Sequence, residues 1–425
     1  MSKQSKNSNN SLALTTNELV KYVDHMITNN RYLAAKGVRP ICMNIEGEAG
    51  LGKTSVVEQV AQTMNLQMVK LNLSQMEDIG DLVGFPIREF MLKYQEKDSD
   101  GKPVGNAVGK WVDENSYDYY IGQGWEPTGK NRTNNCVPEW LASLKPGKGV
   151  ILLLDDYSRA DNRFTQACME LIDRQSYGTW KLPADSHIIL TSNPDDGDYF
   201  VTQLDPAQKT RFTTVKLKFD KECWAEWAEN AGIDTRCINF ILKHPELITE
   251  SAKDKNSGFY VNARSSTTFF NAISSFKSFE PNLGMITNIG EGCVGPDFTN
   301  TFTIFINNKM DKLMSPEEML TSKQDHKLVI NRIIEDCKGE DGNYRADIAG
   351  ILALRLINFA TKYAKENPIT ADHITRLKLL CTTDDCFTSD LKYVIVKRLL
   401  GDSTETKKKF EKLMFDPNVA KMLVK

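Results

Sequence analysis

The chain has 425 residues, of which 40% are hydrophobic and 26% charged, with a formal net charge of -3 at pH 7. Those values predict two or three globular domains, each long enough to bury its own core. They give no support to a chain-wide basic field for nucleic acid, and no run of about 18 apolar residues exists, so no membrane span is expected.

The first ten residues, MSKQSKNSNN, are polar and lack an apolar h-region, so no secretory signal is expected and the location predicted is cytoplasmic. Residues 1–14 read as disordered, and 1–36 as a tail plus one helix. Thr15 to Glu18 form a capping-box pattern, and Leu19, Tyr22, Val23 and Met26 follow at helical spacing. Gly37 and Pro40 end that helix. Five short apolar runs then predict strands: Ile41–Ile45, Met68–Leu73, Val150–Leu154, His187–Thr191 and Thr214–Phe219. Helical patterns separate most of them, including Ser55–Met64 and Arg163–Arg174. Strands alternating with helices predict an α/β core over 37–220 with a parallel sheet covered on both faces.

The interval 89–135 breaks that rhythm. It is polar, Gly-rich and aromatic with no sustained period, and it reads as an insertion or a functional loop. After Asp220 the pattern is helical throughout. Residues 221–282 and 283–425 read as two helical regions, with Ile348–Tyr363 the clearest helix. The run Lys407–Lys409 suits a solvated helix face. Nine cysteines are scattered; Cys381 and Cys386 are the closest pair, and reduced, packed thiols are the expected state.

The chemistry is concentrated in four places. Gly47–Thr54 reads GEAGLGKT, a full phosphate-binding loop between a predicted strand and a predicted helix. Gly47, Glu48, Ala49, Gly50, Leu51, Gly52, Lys53, Thr54 and Ser55 would cradle the phosphates of ATP through backbone N–H groups at the positive end of the helix. Lys53 would reach the β- and γ-phosphates, and the Thr54 hydroxyl would bind Mg²⁺. Asp155 and Asp156 end the third apolar run, at the sheet edge where open α/β sheets bind ligands. Asp155 would hold Mg²⁺ through water, and Asp156 would orient the attacking water. Asp156 also suits a plain helix N-cap. Asn193, in TSNP after the fourth run, suits either a γ-phosphate contact or an Asx turn. Arg211, just before the fifth run, suits either an exposed charge or an arginine that neutralises transition-state charge on a neighbouring subunit's nucleotide.

In this order the motifs resemble those of AAA+ ATPases, and within them the MoxR-like, dynein-related group, which includes CbbQ-type activases and phage- and prophage-encoded members. The residues that carry the resemblance are GEAGLGKT at 47–54, DIGDLVGFP at 78–86, ILLLDDYSRAD at 151–161, IILTSNP at 188–194, LDPAQKTRF at 204–212 and NARSS at 262–266. It covers about residues 37–280. It implies a P-loop NTPase core with a five-stranded sheet in the order 5-1-4-3-2, a helical lid at 221–282, an extra C-terminal helical domain, and ATP bound between subunits of a hexamer. By the same resemblance, Asn193 matches sensor 1, Arg211 the trans arginine finger and Arg264 sensor 2. Arg159 matches an arginine near the subunit interface, or is a surface ion pair.

Two departures stand out. Asp156 replaces the usual glutamate, which predicts slow hydrolysis. The 89–135 insert is longer than the family's loop, and its Trp111, Tyr117, Tyr119, Tyr120 and Trp125 suit either a packed hairpin or a grip on a polypeptide. The function expected is an ATP-driven ring that remodels a client protein, which in this group is often a von Willebrand factor A domain protein. A nucleic-acid machine of the helicase-loader or clamp-loader kind ranks behind it, as does a slow nucleotide-gated assembly switch.

Overall fold

The computed structural model describes residues 13–98, 102–195, 201–202, 204–248, 260–308, 312–339, 342–401 and 408–423. The chain divides into two units, Met1–Lys218 and Phe219–Lys425.

The first unit begins with β1 (Ala13–Leu14) and α1 (Thr16–Ala35). Residues 13 and 14 therefore belong to the sheet, against the disorder expected of them; residues 1–12 lie outside the described residues. The capping box at Thr15 forms, with the Thr15 N–H donating to Glu18 Oε2 at 2.8 Å. There follow β2 (Cys42–Glu46), α2 (Lys53–Thr63), β3 (Gln67–Asn72), α3 (Ile79–Val83), β4 (Pro86–Lys97), β5 (Pro103–Asp113), α4 (Glu114–Gly122), β6 (Glu126–Asn135) and α5 (Glu139–Ala142). The unit closes with β7 (Val150–Asp155), α6 (Asn162–Arg174), β8 (Ser176–Tyr177), β9 (Trp180–Lys181), β10 (Ser186–Ser192), α7 (Pro206–Lys209) and β11 (Phe212–Leu217).

The main sheet has six strands in the order β1-β11-β2-β10-β7-β3, all parallel, where five were expected. The added strand is β1, which a two-residue apolar pair cannot announce by periodicity. Strand alternation splits the core cleanly. Met43, Ile45, Ile151, Leu153 and Ile189 face α1 and α2, and Leu152, Leu154, Ile188 and Leu190 face α3 and α6. Both faces are covered, which is why β7 and β10 read as continuous apolar runs.

Of the two readings of the 89–135 interval, the structure fits an insertion with its own secondary structure and not a loop. From Pro86 to Asn135 it forms an antiparallel sheet in the order β5-β4-β6, with α4 between the second and third strands. Residues 103–110 of β5 are all exposed, so no inward-facing alternation marks them as a strand. The sheet roots in the first unit at Gly84, whose φ of 84° brings the chain against the backbone of Cys136; a Cβ there would collide with Cys136 O.

The second unit is helical: α8 (Lys221–Ala231), α9 (Thr235–Lys243), α10 (Ala263–Ile273), α11 (Leu283–Cys293), α12 (Pro296–Asn307), α13 (Pro316–Thr321), α14 (His326–Asp336), α15 (Ala346–Glu366), α16 (Ala371–Thr382), α17 (Ser389–Gly401) and a short last helix, Pro417–Leu423. One apolar core runs from Trp224 to Val419, so the segments on either side of residue 282 share it. At its centre Phe302 packs edge-on against Phe240 and Phe269. Of the Lys407–Lys409 run, Lys407 lies outside the described residues, Lys408 is exposed and Lys409 donates to Ala364 O. None of the nine cysteines is in a disulfide. No described helix is long and apolar enough to cross a membrane.

One buried polar node ties α8, α9 and α15 together. Arg355 donates to Glu229 Oε1 at 3.0 Å, to Asn239 Oδ1 at 2.9 Å and to Thr235 Oγ1 at 3.1 Å. Arg355 is 1% exposed, so its charge depends on these partners. Burial alone pushes the Glu229 carboxyl up and the Arg355 guanidinium down, and their mutual attraction offsets part of each shift. Removing one partner leaves a buried charge without its mate. Arg355→Ala is therefore expected to destabilise the second unit by about 3–5 kcal/mol, and the paired Arg355→Met/Glu229→Leu change by much less. Urea unfolding of the three proteins measures both; equal losses would show that packing, not charge, governs the node.

Candidate functional site

The loop after β2 is built from backbone angles that only glycine adopts freely. Gly50 and Gly52 have φ of 81° and 83°, and Gly52 caps α2 without a side-chain hydrogen bond. The first-turn N–H groups of α2, which starts at Lys53, therefore carry the positive end of the helix dipole toward the loop. The Gly47 N–H donates to Ser192 O at 3.1 Å, tying the loop to the end of β10. Within it Gly47, Glu48 and Lys53 are buried, Ala49, Gly50, Leu51, Gly52 and Thr54 are half-buried, and Ser55 is exposed.

Lys53 bridges the loop to Asn193. Its Nζ donates to Gly47 O at 2.6 Å, to Glu48 O at 3.0 Å and to Asn193 Oδ1 at 3.1 Å. Asn193 is held in turn by its own N–H, which donates to Ser158 Oγ at 3.1 Å.

Asp155 meets Thr54 across the gap between β7 and α2. The Thr54 hydroxyl donates to Asp155 Oδ1 at 3.2 Å and Oδ2 at 3.4 Å. The Thr191 hydroxyl donates to Asp155 Oδ1, and Lys70 Nζ lies 2.9 Å from Asp155 Oδ2. Burial opposes ionisation of Asp155, but the bonds from Thr191, Lys70 and Thr54 and the Lys70 charge outweigh it, so its pKa lies below the ordinary carboxylate range. Asp155 is ionised at neutral pH.

Asp156 follows in the left-handed region, with φ 53° and ψ 37°. Its N–H donates to Thr191 Oγ1 at 3.0 Å. It precedes a 3₁₀ turn, Tyr157–Arg159, to which it offers no side-chain cap. Arg159 in that turn is exposed.

Arg211 is held within its own chain. Its Nε donates to Asp173 Oδ2 at 2.7 Å and its Nη1 to Ala207 O at 2.6 Å. It sits at the start of β11, where Phe212 pairs with Cys42, whereas the phosphate loop leaves the far end of β2 after Glu46. Five strand residues separate those edges, about 16 Å. The loop and Arg211 of one chain are therefore on opposite edges of the sheet. Arg264 is in the second unit, exposed in the first turn of α10, where Asn262 caps the helix.

The aromatic side chains of the insert are largely engaged with each other. Phe90 meets Tyr117 edge-on, Trp125 contacts both Tyr94 and Tyr120, and the Arg132 guanidinium lies 4.3 Å from the Trp111 ring centre. Tyr119 is 65% exposed.

Sequence reasoning missed Lys70, Thr191 and Ser158. Lys70 is the one charge in the strand QMVKLN, and a lone charge among apolar strand residues is the available signal. Thr191 lies inside the IILTSNP segment, but nothing in that segment marks which hydroxyl turns toward the acids.

The lowered Asp155 pKa has a pH signature. A carboxyl whose folded pKa lies below its unfolded value of about 3.9 stabilises the fold above that pH, and the contribution is lost as pH falls through the folded value. Asp155→Asn is thus expected to be less stable than the unchanged protein at pH 7, with the gap closing below about pH 4. Urea midpoints across that range test it; a gap that persists unchanged to pH 3 would contradict the assignment.

No protein-family model matches the sequence, and no curated protein matches it. Solved structures with some likeness include a candidate ATPase from Cytophaga hutchinsonii, at 14% identity over 81% of this chain and 86% of that one, with a TM-score of 0.28. Two others are structures of RuvB from Thermotoga maritima. The Holliday junction branch migration motor is 12% identical over 74% of this chain and 80% of that one, with a TM-score of 0.31. A point mutant of RuvB is 11% identical over 73% and 81%, with a TM-score of 0.33. At those scores the likenesses carry no argument, and the chemistry of the site rests on this chain's own geometry.

Proposed function

We propose that the chain is an ATPase of the AAA+ type, resembling the MoxR-like group in its motifs, which binds Mg–ATP at the 47–55 loop. The observation that carries this reading is the convergence of Lys53, Thr54, Asp155 and Asn193 at one edge of a parallel sheet, around a glycine loop that opens a helix. The donor set fits Mg²⁺: an alcohol oxygen and an ionised carboxylate are hard ligands, and magnesium keeps its remaining positions for water and phosphate. Among the described residues no group of three or more His, Cys, Asp or Glu could form an all-protein cage. Bound there, the ion would neutralise phosphate charge.

In this reading the backbone N–H groups of the loop hold the phosphates, Lys53 turns its ammonium toward them, and Asn193 positions the γ-phosphate or the attacking water. Asp156 accepts the proton of that water. Its side chain is one methylene shorter than glutamate, and the left-handed backbone at this residue re-aims it. Turnover is therefore slow. Arg211 completes the site of a neighbouring subunit in a ring, most simply a hexamer. The work done is remodelling of a client protein, with a von Willebrand factor A domain protein as the candidate client. By its motif, Arg264 would take the sensor 2 role.

ATP turnover of the unchanged protein, beside Lys53→Ala and Asp156→Ala, tests the core of this reading. Slow turnover is expected only in the unchanged protein, and Asp156→Glu is expected to raise it. Equal background in all of them would remove the enzyme reading and favour a nucleotide-gated assembly switch.

The trans assignment has its own test. Arg211→Ala is expected to keep ATP binding while losing hydrolysis by roughly 10³-fold. Mixing it with Asp156→Ala subunits should restore part of the activity, because one supplies the site and the other the arginine. No recovery, together with full activity in isolated monomers, would remove Arg211 from the reaction.

A further inference from the structure

Both oxygens of Asp155 are engaged within the chain. Oδ1 receives the Thr191 hydroxyl, the Thr54 hydroxyl is shared between the two oxygens, and Oδ2 faces Lys70 Nζ at 2.9 Å. The three partners differ in one respect. Thr54 and Thr191 are short and neutral, whereas Lys70 is a cation on a long flexible stem. The Lys70 side chain is 44% exposed against 12% for Asp155, so the ammonium stands between the acid and solvent. Register explains the meeting: Lys70 pairs with Leu153 and Asn72 with Asp155, so Lys70 and Asp155 rise on the same face of neighbouring strands, the face that α2 covers.

We propose that Lys70 is the counter-cation of the metal-side acid: it neutralises Asp155 until Mg–nucleotide binds, and then gives up Oδ2 to the metal's shell. This deepens the reading of the loop as an Mg–ATP site and rests on it. The charge logic is direct. A divalent ion and an ammonium on one carboxylate repel each other, and only the ammonium is tethered to a stem that can swing into solvent. Without Lys70 the metal has no competitor, so it should bind at lower concentration. Nucleotide without metal meets the opposite situation. Its phosphates would face a bare Asp155 if Lys70 were missing, so metal-free binding should weaken. Lys70 thus acts as a positioning residue that makes nucleotide capture less dependent on metal.

The test is binding of fluorescent N-methylanthraniloyl-ATP to the full chain, in EDTA and across a Mg²⁺ titration, for the unchanged protein, Lys70→Met, Lys70→Gln and Lys70→Arg. For Lys70→Met and Lys70→Gln the Mg²⁺ midpoint is expected to fall by about threefold to tenfold, while binding in EDTA weakens by a similar factor. Lys70→Arg, which keeps the charge, should behave as the unchanged protein. Opposite shifts in the two conditions are what a purely structural lysine cannot produce. A shared Mg²⁺ midpoint, or both affinities falling together, would overturn the role of Lys70 while leaving the nucleotide site intact. An unchanged protein that binds no nucleotide in either condition would overturn the site itself, and this inference with it.

Discussion

Asp155 stands at the end of a strand whose preceding residues, Val150 to Leu154, are each 0% exposed, and that burial on both faces fixes where the carboxylate can point. Ile151 and Leu153 pack toward α2, so the next residue of that parity, Asp155, must also rise on the α2 side. The helix that carries Thr54 is the one packed there. The Asp155 carboxylate and the Thr54 hydroxyl therefore meet because of side-chain alternation, before any specific contact between them is considered. Thr191 reaches the same carboxylate by the same rule, since it shares parity with Ile189 on the neighbouring strand.

Thr191 links the two acids. Its hydroxyl donates to Asp155 and accepts from the Asp156 N–H at 3.0 Å, which uses its single proton and one lone pair. Had β7 continued, the Asp156 side chain would have turned to the α6 face, away from the loop. The left-handed angles at Asp156 break that alternation. Aspartate adopts this region at lower cost than most residues, and glutamate is less suited to it. An aspartate at position 156 is thus compatible with the local backbone, and where its carboxylate points depends on backbone geometry as much as on side-chain length.

How much was legible in the sequence depends on what each element buries. β2, β7 and β10 are covered on both faces and so read as apolar runs. Gly50 and Gly52 of the GEAGLGKT loop stand where the chain has positive φ, and the motif is visible without any structure. β5 is exposed along residues 103–110 and carries two glycines, so neither alternation nor β-propensity identifies it, and the sequence leaves an insertion and a functional loop both open. Lys70 and Thr191 were missed for a different reason. Their roles come from register between strands, and register is set by the packed sheet as a whole. The shared core of the helical unit was invisible on similar grounds, because Arg355 meets Glu229 and Asn239 across more than a hundred residues of sequence.

Parallel topology also decides what Arg211 can do. Every strand of the main sheet points its C-terminal end toward the phosphate loop, and Arg211 precedes the N-terminal end of β11. No side chain spans the length of a strand, since an extended arginine reaches roughly two residues' worth of strand rise. Arg211 is thereby excluded from the loop of its own chain, whatever the loop binds. Within the chain it is instead fastened to Asp173 and Ala207, near the end of α6 and in α7. A role in the reaction requires a second copy whose loop faces this edge, so activity through Arg211 and assembly are one physical question. If the arginine acts, it does so only where two chains meet, and the ion pair with Asp173 then sets the angle at which the guanidinium is presented.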